Sequence, residues 1–110
     1  MHSNADGLGI SHEVCGDQEV LVIEGDIDLV SARHLEGKIG EFVDDGEPRR
    51  VIFDLSRVEF IDSSGLRVLM TMDRALRERG GGCALRSPSL VVQRLLTVTG
   101  LSDHLPIEGQ

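Results

Sequence analysis

Aromatic residues are scarce in this sequence. The chain has no tryptophan and no tyrosine, and aromatic residues make up only 3% of its 110 residues. Aromatic side chains usually supply much of the buried area of a core. We therefore expect leucine, valine and isoleucine to build one small core, and a chain of this length to hold a single domain.

Basic residues and long apolar runs are also in short supply. Lys and Arg number 11 against 19 Asp and Glu, which gives a net charge of -8. Such a charge repels phosphate backbones and anionic lipid surfaces, so we predict no direct nucleic-acid binding. No run approaches the ~20 apolar residues of a membrane span, and residues 1–6 lack the features of a signal peptide. The sequence predicts a cytoplasmic protein without membrane insertion.

The chain has only two cysteines, and they lie far apart. Cys15 and Cys83 form no paired metal-ligand spacing, and thiols in the cytosol normally stay reduced. We interpret both as small, partly buried residues, with a redox switch as the alternative. The histidines show no ligand spacing either, so we predict no metal and no cofactor; they are His2, His12, His34 and His104.

Enzyme motifs are missing as well. The chain has no Gly-x-Ser-x-Gly elbow, and Gly80-Gly81-Gly82 lacks the Lys and Ser or Thr that follow in a phosphate-binding loop. Nothing combines a nucleophile, a base and oxyanion donors. The sequence therefore predicts a protein that is not an enzyme.

What is present is an alternation of strand and helix patterns. Residues 1–8 are interpreted as a flexible arm and residues 9–110 as the domain. Residues 10–15 and 20–24 predict a hairpin around a turn at Gly16-Asp17-Gln18, and residues 51–53 predict a central strand. Residues 83–85 and 105–107 predict two more strands. The order implies an α/β fold, with a mixed sheet of four to five strands packed with three or more helices.

Three helices are predicted from apolar periodicity and capping residues. Ser31 is the expected cap of the first, which ends at Asp44-Asp45-Gly46 and buries Leu35, Ile39, Phe42 and Val43. Glycines 37 and 40 are attributed to close packing on the sheet. The second helix, residues 64–79, is expected to bury Gly65, Leu69, Met72 and Leu76 and to expose Arg67, Thr71, Arg74 and Glu78. The third is expected to start at Ser87-Pro88 and end at Gly100, with an apolar face of Leu90, Val91, Leu95 and Val98.

One segment carries a specific resemblance: Asp54-Leu55-Ser56-Arg57-Val58-Glu59-Phe60-Ile61-Asp62-Ser63-Ser64-Gly65-Leu66. It resembles the STAS domain signature of bacterial anti-sigma factor antagonists, in which a strand and loop lead to Asp-Ser-Ser/Thr-Gly-Leu at a helix start. Gly25-Asp26-Ile27-Asp28 and Thr99-Gly100-Leu101 also match the pattern. The resemblance therefore spans residues 10–107.

The resemblance implies a function in transcription regulation. Members of this family bind an anti-sigma factor serine kinase and release a sigma factor. The kinase ends the interaction by phosphorylating a serine, here Ser63 with Ser64 as a secondary acceptor, and a serine phosphatase restores it. The residues that we predict to bind the partner are Asp26, Asp28, Asp62, Ser63, Ser64, Gly65, Leu66, Arg67 and Met70. Alternatives are a STAS subunit of a lipid transporter or stress-sensing assembly, or a nucleotide-binding or hydrolysing domain; a homo-oligomer is left open.

The residues themselves allow a plainer interpretation of the same segment. Asp62, Ser63 and Ser64 are ordinary helix-capping types, while free N–H groups at a helix start also suit a phosphate. Asp26 and Asp28 are carboxylates before a helix, with a metal pair as the alternative. Two further expectations concern the second helix: Leu66 and Met70 form an exposed apolar patch, and Arg67 replaces the small residue common in the family and alters partner choice.

Overall fold

In the part of the chain that the structure describes, the fold is a five-stranded mixed sheet with three helices. The computed structural model describes residues 9–16, 18–43, 50–101 and 105–108. The elements are, in chain order, β1 (Gly9–Cys15), β2 (Gln18–Ile27), α1 (Leu29–Val43), β3 (Arg50–Ile61), α2 (Ser63–Glu78), β4 (Gly82–Arg86), α3 (Leu90–Thr99) and β5 (Ile107–Glu108). The predicted α/β class, strand count and helix count are confirmed.

The sheet has the order β1-β2-β3-β4-β5. β1 and β2 form the predicted antiparallel hairpin, in which Cys15 pairs with Gln18 and Gly16 adopts a positive φ of 62°. β3 pairs with β2 and β4 in parallel, and β5 joins β4 in parallel. β3 is the central strand, as predicted, but it continues eight residues beyond Phe53, as far as Ile61.

The core joins the helices to one face of the sheet. Alternate strand residues point into it, among them Leu21 on β2, Phe53 and Leu55 on β3, and Leu85 on β4. Leu35 and Ile39 of α1 are fully buried there, as predicted. The opposite sheet face carries a smaller cluster of Val20, Ile52 and Ala84. Aliphatic side chains therefore form most of the core, as the low aromatic content predicts.

The α2 helix buries more of its surface than expected. Its predicted buried face is confirmed, and Arg67, Thr71, Arg74 and Glu78 are exposed as expected. Leu66, Val68 and Asp73 are buried in addition. The reason is that α2 packs against α1 as well as against β3 and β4. A helix with two neighbours buries a wider arc than one that lies on a sheet alone.

The start of α3 and its buried face were predicted wrongly. Ser89, not Ser87, is the N-cap, and its hydroxyl accepts a hydrogen bond from the Val92 N–H. Val92 and Leu96 are the buried residues of the helix, while Leu95 is half-buried and Leu90, Val91 and Val98 are exposed. The predicted end at Gly100 is confirmed by its left-handed conformation.

The explanation for the α1 glycines was also wrong. A Cβ placed on Gly37 or Gly40 meets nothing within 4 Å, so neither glycine is required by close packing. The predicted arm (residues 1–8), the turn at residues 44–46 and the side chains of Cys15, Phe42 and Val43 lie outside the described part of the chain.

Cys83 is buried on β4 beside a carboxylate. Its N–H and its Sγ lie 3.3 and 3.4 Å from Asp73 Oδ1. Burial raises the pKa of the Cys83 thiol strongly, and the charge of Asp73 raises it further. Because the thiolate is the reactive form, this environment disfavours a redox role for Cys83.

Candidate functional site

Two helix starts lie side by side at one edge of the sheet. β2 and β3 run in parallel to their last residues, where Ile27 pairs with Ile61. The Asp62 N–H donates to the Ile27 carbonyl at 3.0 Å, which ties the β3–α2 junction to the β2–α1 junction. α1 and α2 begin immediately after these strands. The carboxyl ends of neighbouring parallel strands are where α/β proteins place their functional residues.

Asp62 is the N-cap of α2. Its backbone is extended, and its Oδ1 accepts hydrogen bonds from the Ser64 N–H at 2.9 Å and the Gly65 N–H at 3.1 Å. These are two of the donors that a helix start leaves without intrahelical partners. Two of the N–H groups that were expected to be free for a phosphate therefore already donate to the Asp62 carboxylate.

Ser63 is the first residue of α2 and is exposed, whereas Ser64 is half-buried. Within the described residues the Ser63 hydroxyl has no hydrogen-bond partner. Ser63 thus presents an accessible hydroxyl held at a defined place by the cap before it. Of the two serines, Ser63 is the one that an enzyme can reach more readily.

Gly65 allows the start of α2 to lie against the strand ends. A Cβ on Gly65 falls 2.6 Å from Ile27 Cγ2 and 2.6 Å from Ile61 Cγ1. Real Cβ atoms do not approach carbon so closely, so even alanine requires a shift of the helix or of both isoleucines. Gly65 therefore sets the position of Ser63 without being at the surface.

The predicted apolar patch of Leu66 and Met70 is not present. Leu66 is 2% exposed and belongs to the core, and Met70 is half-buried and packs against that core. Leu66 and Met70 lie seven and three residues before Asp73, on the same side of α2, and Asp73 contacts Cys83 on β4, so this side of the helix faces the core and not the solvent. Leu66 supports the site from beneath and does not offer a surface to a partner.

The β2–α1 junction brings Asp26 and Asp28 to the same edge. Both residues are exposed. Asp28 is the cap of α1, since its Oδ1 accepts from the Val30 N–H at 3.1 Å and the Ser31 N–H at 3.0 Å. The hydrogen bond from the Ser31 backbone is the main cause that lowers the pKa of the Asp28 carboxyl. Because Asp28 caps α1, the prediction of Ser31 as the cap is wrong by three positions.

Ser31 instead holds the junction from inside. It is fully buried, and its hydroxyl donates to the Asp26 carbonyl at 2.8 Å and accepts from the Asp28 N–H at 2.8 Å. The hydroxyl also lies 3.0 Å from Asp28 Oδ1. One buried serine thus fixes the backbone that carries both acidic residues.

The exposed apolar side chains next to these two junctions were not identified from the sequence. Leu29 and Val30 on the first turn of α1 are 58% and 65% exposed, and Phe60 on β3 is 48% exposed. Phe60 pairs in register with Asp26, so an apolar and an acidic side chain adjoin there. Strand alternation was the available signal, because an inward Ile61 places Phe60 outward.

Two further observations bear on the site. Among the described residues, no group of three or more His, Cys, Asp or Glu side chains is arranged to hold a metal ion. No described helix has both the length and the apolar character that crossing a membrane requires.

Comparisons with known proteins agree on one family. A model of the STAS domain matches residues 12–109. The anti-sigma-B factor antagonist of Bacillus subtilis is 32% identical over 88 residues, which are 80% of this chain and 79% of that protein. The anti-sigma-F factor antagonist RsfB of Mycobacterium tuberculosis is 52% identical over 50 residues, 46% of this chain and 40% of that protein. A crystal structure of an anti-sigma factor antagonist from Mycobacterium paratuberculosis is 30% identical with a TM-score of 0.84, covering 99% of this chain and 92% of the other.

Proposed function

The chain belongs to the STAS domain family, and on that basis we propose that it is an anti-sigma factor antagonist, a regulator that binds an anti-sigma factor and thereby frees a sigma factor. Relatives with this name match the chain over most of its length. The acidic and apolar edge described above is the binding surface in this proposal. The protein acts by binding and is a substrate of other enzymes.

We further propose that the partner is a serine kinase and that phosphorylation of Ser63 ends the interaction. The observation that carries this proposal is the exposed hydroxyl of Ser63, which follows the Asp62 cap at the start of α2. A phosphate there adds about -1.5 to -2 charge. The charge enters the proposed binding surface at the start of α2, beside the β2–α1 junction that carries Asp26 and Asp28. A serine phosphatase removes it and restores binding.

The residues of the surface fall into two groups. The exposed ones, Asp26, Asp28, Ser63 and Arg67, contact the partner directly, and the exposed Leu29, Val30 and Phe60 add apolar area around them. Buried or half-buried residues shape the surface from below: Asp62, Ser64, Gly65, Leu66 and Met70. Exposed carboxylates and apolar side chains together suit a partner with basic residues around an apolar centre.

The test is to map the phosphate. The purified protein is incubated with ATP and each candidate anti-sigma factor kinase, and modified peptides are identified by mass spectrometry. We expect phosphate on Ser63, loss of labelling in Ser63→Ala, and retention of most labelling in the matched control Ser64→Ala. Phosphate found mainly on Ser64, or on the exposed hydroxyls of Ser56 or Thr71, contradicts the assignment.

A further inference from the structure

A phosphate on Ser63 enters an acidic neighbourhood. Asp62 lies directly before it and uses its carboxylate at the helix start, and the exposed Asp26 and Asp28 lie at the adjoining junction. The Ser64 and Gly65 N–H groups already donate to Asp62. A phosphate on Ser63 therefore has few free backbone donors near it and several negative charges around it. A side-chain cation is needed to balance its charge and hold it in one position.

Arg67 is placed to supply that cation. It lies four residues after Ser63 on α2, and both side chains are exposed while Gly65 and Leu66 between them are buried. Residues at this spacing are neighbours on a helix surface, with about 5 to 6 Å between their Cβ atoms. The Cα–Cβ bond of a helical residue tilts towards the helix start, which directs the Arg67 side chain towards Ser63.

The order of the two charges along α2 and the chemistry of the guanidinium also favour an ion pair between Arg67 and a phosphate on Ser63. An acidic group that precedes a basic one by four residues is the favourable orientation on a helix. Arginine presents a planar fork of donors that matches two phosphate oxygens. Arg67 forms no ion pair with any other residue in the described ranges, so its guanidinium is available.

We propose that Arg67 binds the phosphate of phosphorylated Ser63 in a bidentate ion pair along the first turn of α2. This inference rests on the proposed phosphorylation of Ser63 and names the residue that receives its product. Arg67 then has two states: in the unmodified protein it is free for the partner, and after phosphorylation it is bound within the chain. Modification thereby adds a negative charge and withdraws a positive one from the same surface.

The test introduces phosphoserine at position 63 during translation, so it does not depend on any kinase. The second ionisation of the phosphate is followed by ³¹P NMR in the wild-type background and in Arg67→Gln, Arg67→Lys and Arg74→Gln. Arg74 is the matched control, because it is exposed on the same helix but eleven residues from Ser63. The melting temperature of each unphosphorylated variant establishes that it is folded.

We expect the ionisation midpoint to rise by roughly 0.15 to 0.4 of a pH unit in Arg67→Gln, because the dianion loses its partner. Arg74→Gln is expected to leave the midpoint unchanged, and Arg67→Lys to restore part of the shift. An unchanged midpoint in Arg67→Gln overturns the pairing, and so does an equal rise in Arg74→Gln, which indicates only a general field. Neither result bears on whether a kinase modifies Ser63, which the phosphate mapping decides separately.

Discussion

Gly65 in α2 and Gly37 in α1 differ in what alanine would do to stability, because only Gly65 has side chains close to the position of a Cβ atom. The Cβ that an alanine adds at Gly65 meets Ile27 and Ile61 at 2.6 Å, whereas at Gly37 it meets nothing within 4 Å. Overpacking of a filled core costs about 1 to 3 kcal/mol. An exposed helical glycine costs roughly 0.5 to 1 kcal/mol relative to alanine.

We therefore predict that Gly65→Ala lowers the free energy of unfolding by about 1 to 3 kcal/mol and that Gly37→Ala raises it by roughly 0.5 to 1 kcal/mol. Urea denaturation of both variants beside wild type measures the two effects. Gly37→Ala serves as the control, since it makes the same chemical change in a helix. If Gly65→Ala is as stable as wild type, the close approach of α2 to the strand ends is not required.

At the same scale, the sequence predicted the exposure of polar residues better than the burial of apolar ones. Ser63, Asp26, Asp28 and Arg67, which the sequence proposed as partner-binding residues, are all exposed. Leu66 was placed wrongly, because periodicity within α2 does not show how wide an arc of the helix its neighbours cover. The burial of a residue next to the predicted face depends on neighbouring elements that are distant in sequence.

Among the elements, the β2–α1 junction depends most on one buried hydroxyl. Ser31 bonds to the Asp26 carbonyl and the Asp28 N–H, and the loss of its hydroxyl removes both hydrogen bonds from a fully buried position. A buried polar group left without a partner costs about 1 to 3 kcal/mol. The same serine, through its backbone N–H and its hydroxyl, contributes to the lowered pKa of the Asp28 carboxyl.

We predict that Ser31→Ala lowers the free energy of unfolding by about 1 to 3 kcal/mol and raises the pKa of the Asp28 carboxyl towards its ordinary value. Because folding lowers this pKa, the carboxylate stabilises the fold above its unfolded pKa of about 3.9. That stabilisation is lost as the pH falls through the lower folded pKa. Carboxyl NMR titration and denaturation at neutral and acidic pH measure the two effects.

Ser56→Ala is the matched control for Ser31→Ala. The Ser56 hydroxyl also donates to an aspartate, Asp54 Oδ1 at 2.7 Å, but Ser56 is exposed. Water can replace an exposed hydrogen bond, so we expect a change within about 0.5 kcal/mol and no effect on Asp28. A Ser31→Ala protein with wild-type stability and an unchanged Asp28 titration contradicts the role assigned to Ser31.

The α3 helix shows why element order was predicted more successfully than element boundaries and faces. Ser87 and Ser89 both suit an N-cap, and their spacing alone does not choose between them. Six of the ten α3 residues are aliphatic, so its sequence fits several buried faces. Packing of Val92 and Leu96 into the core selects one face and leaves Leu90, Val91 and Val98 exposed.

At the scale of the whole molecule, we expect phosphorylation to change binding without changing the fold. Ser63 is exposed and the Asp62 cap is complete without its hydroxyl, so a phosphate displaces no core contact. The helix dipole offsets part of the added charge, by roughly 0.3 to 1 kcal/mol. In a complex, the same charge lies against the apolar centre of the partner's surface and has to be desolvated there. A loss of only about 2.7 kcal/mol weakens affinity a hundredfold.

We predict that Ser63→Ala and phosphorylated protein both melt close to wild type, within about 0.5 kcal/mol of its free energy of unfolding, while their affinities for the kinase diverge. Ser63→Ala should bind persistently because it cannot be modified. Phosphorylated protein should bind about a hundredfold more weakly, and Ser63→Asp should bind more weakly than wild type by a smaller factor, since one carboxylate carries less charge than a phosphate.

Ser11→Asp is the control, because it adds the same charge as Ser63→Asp at an exposed position on the edge strand β1 and should leave affinity unchanged. Calorimetric dissociation constants and thermal denaturation measure both properties: equal affinity of phosphorylated and unmodified protein contradicts the binding mechanism, and loss of the cooperative melting transition on phosphorylation contradicts its local character.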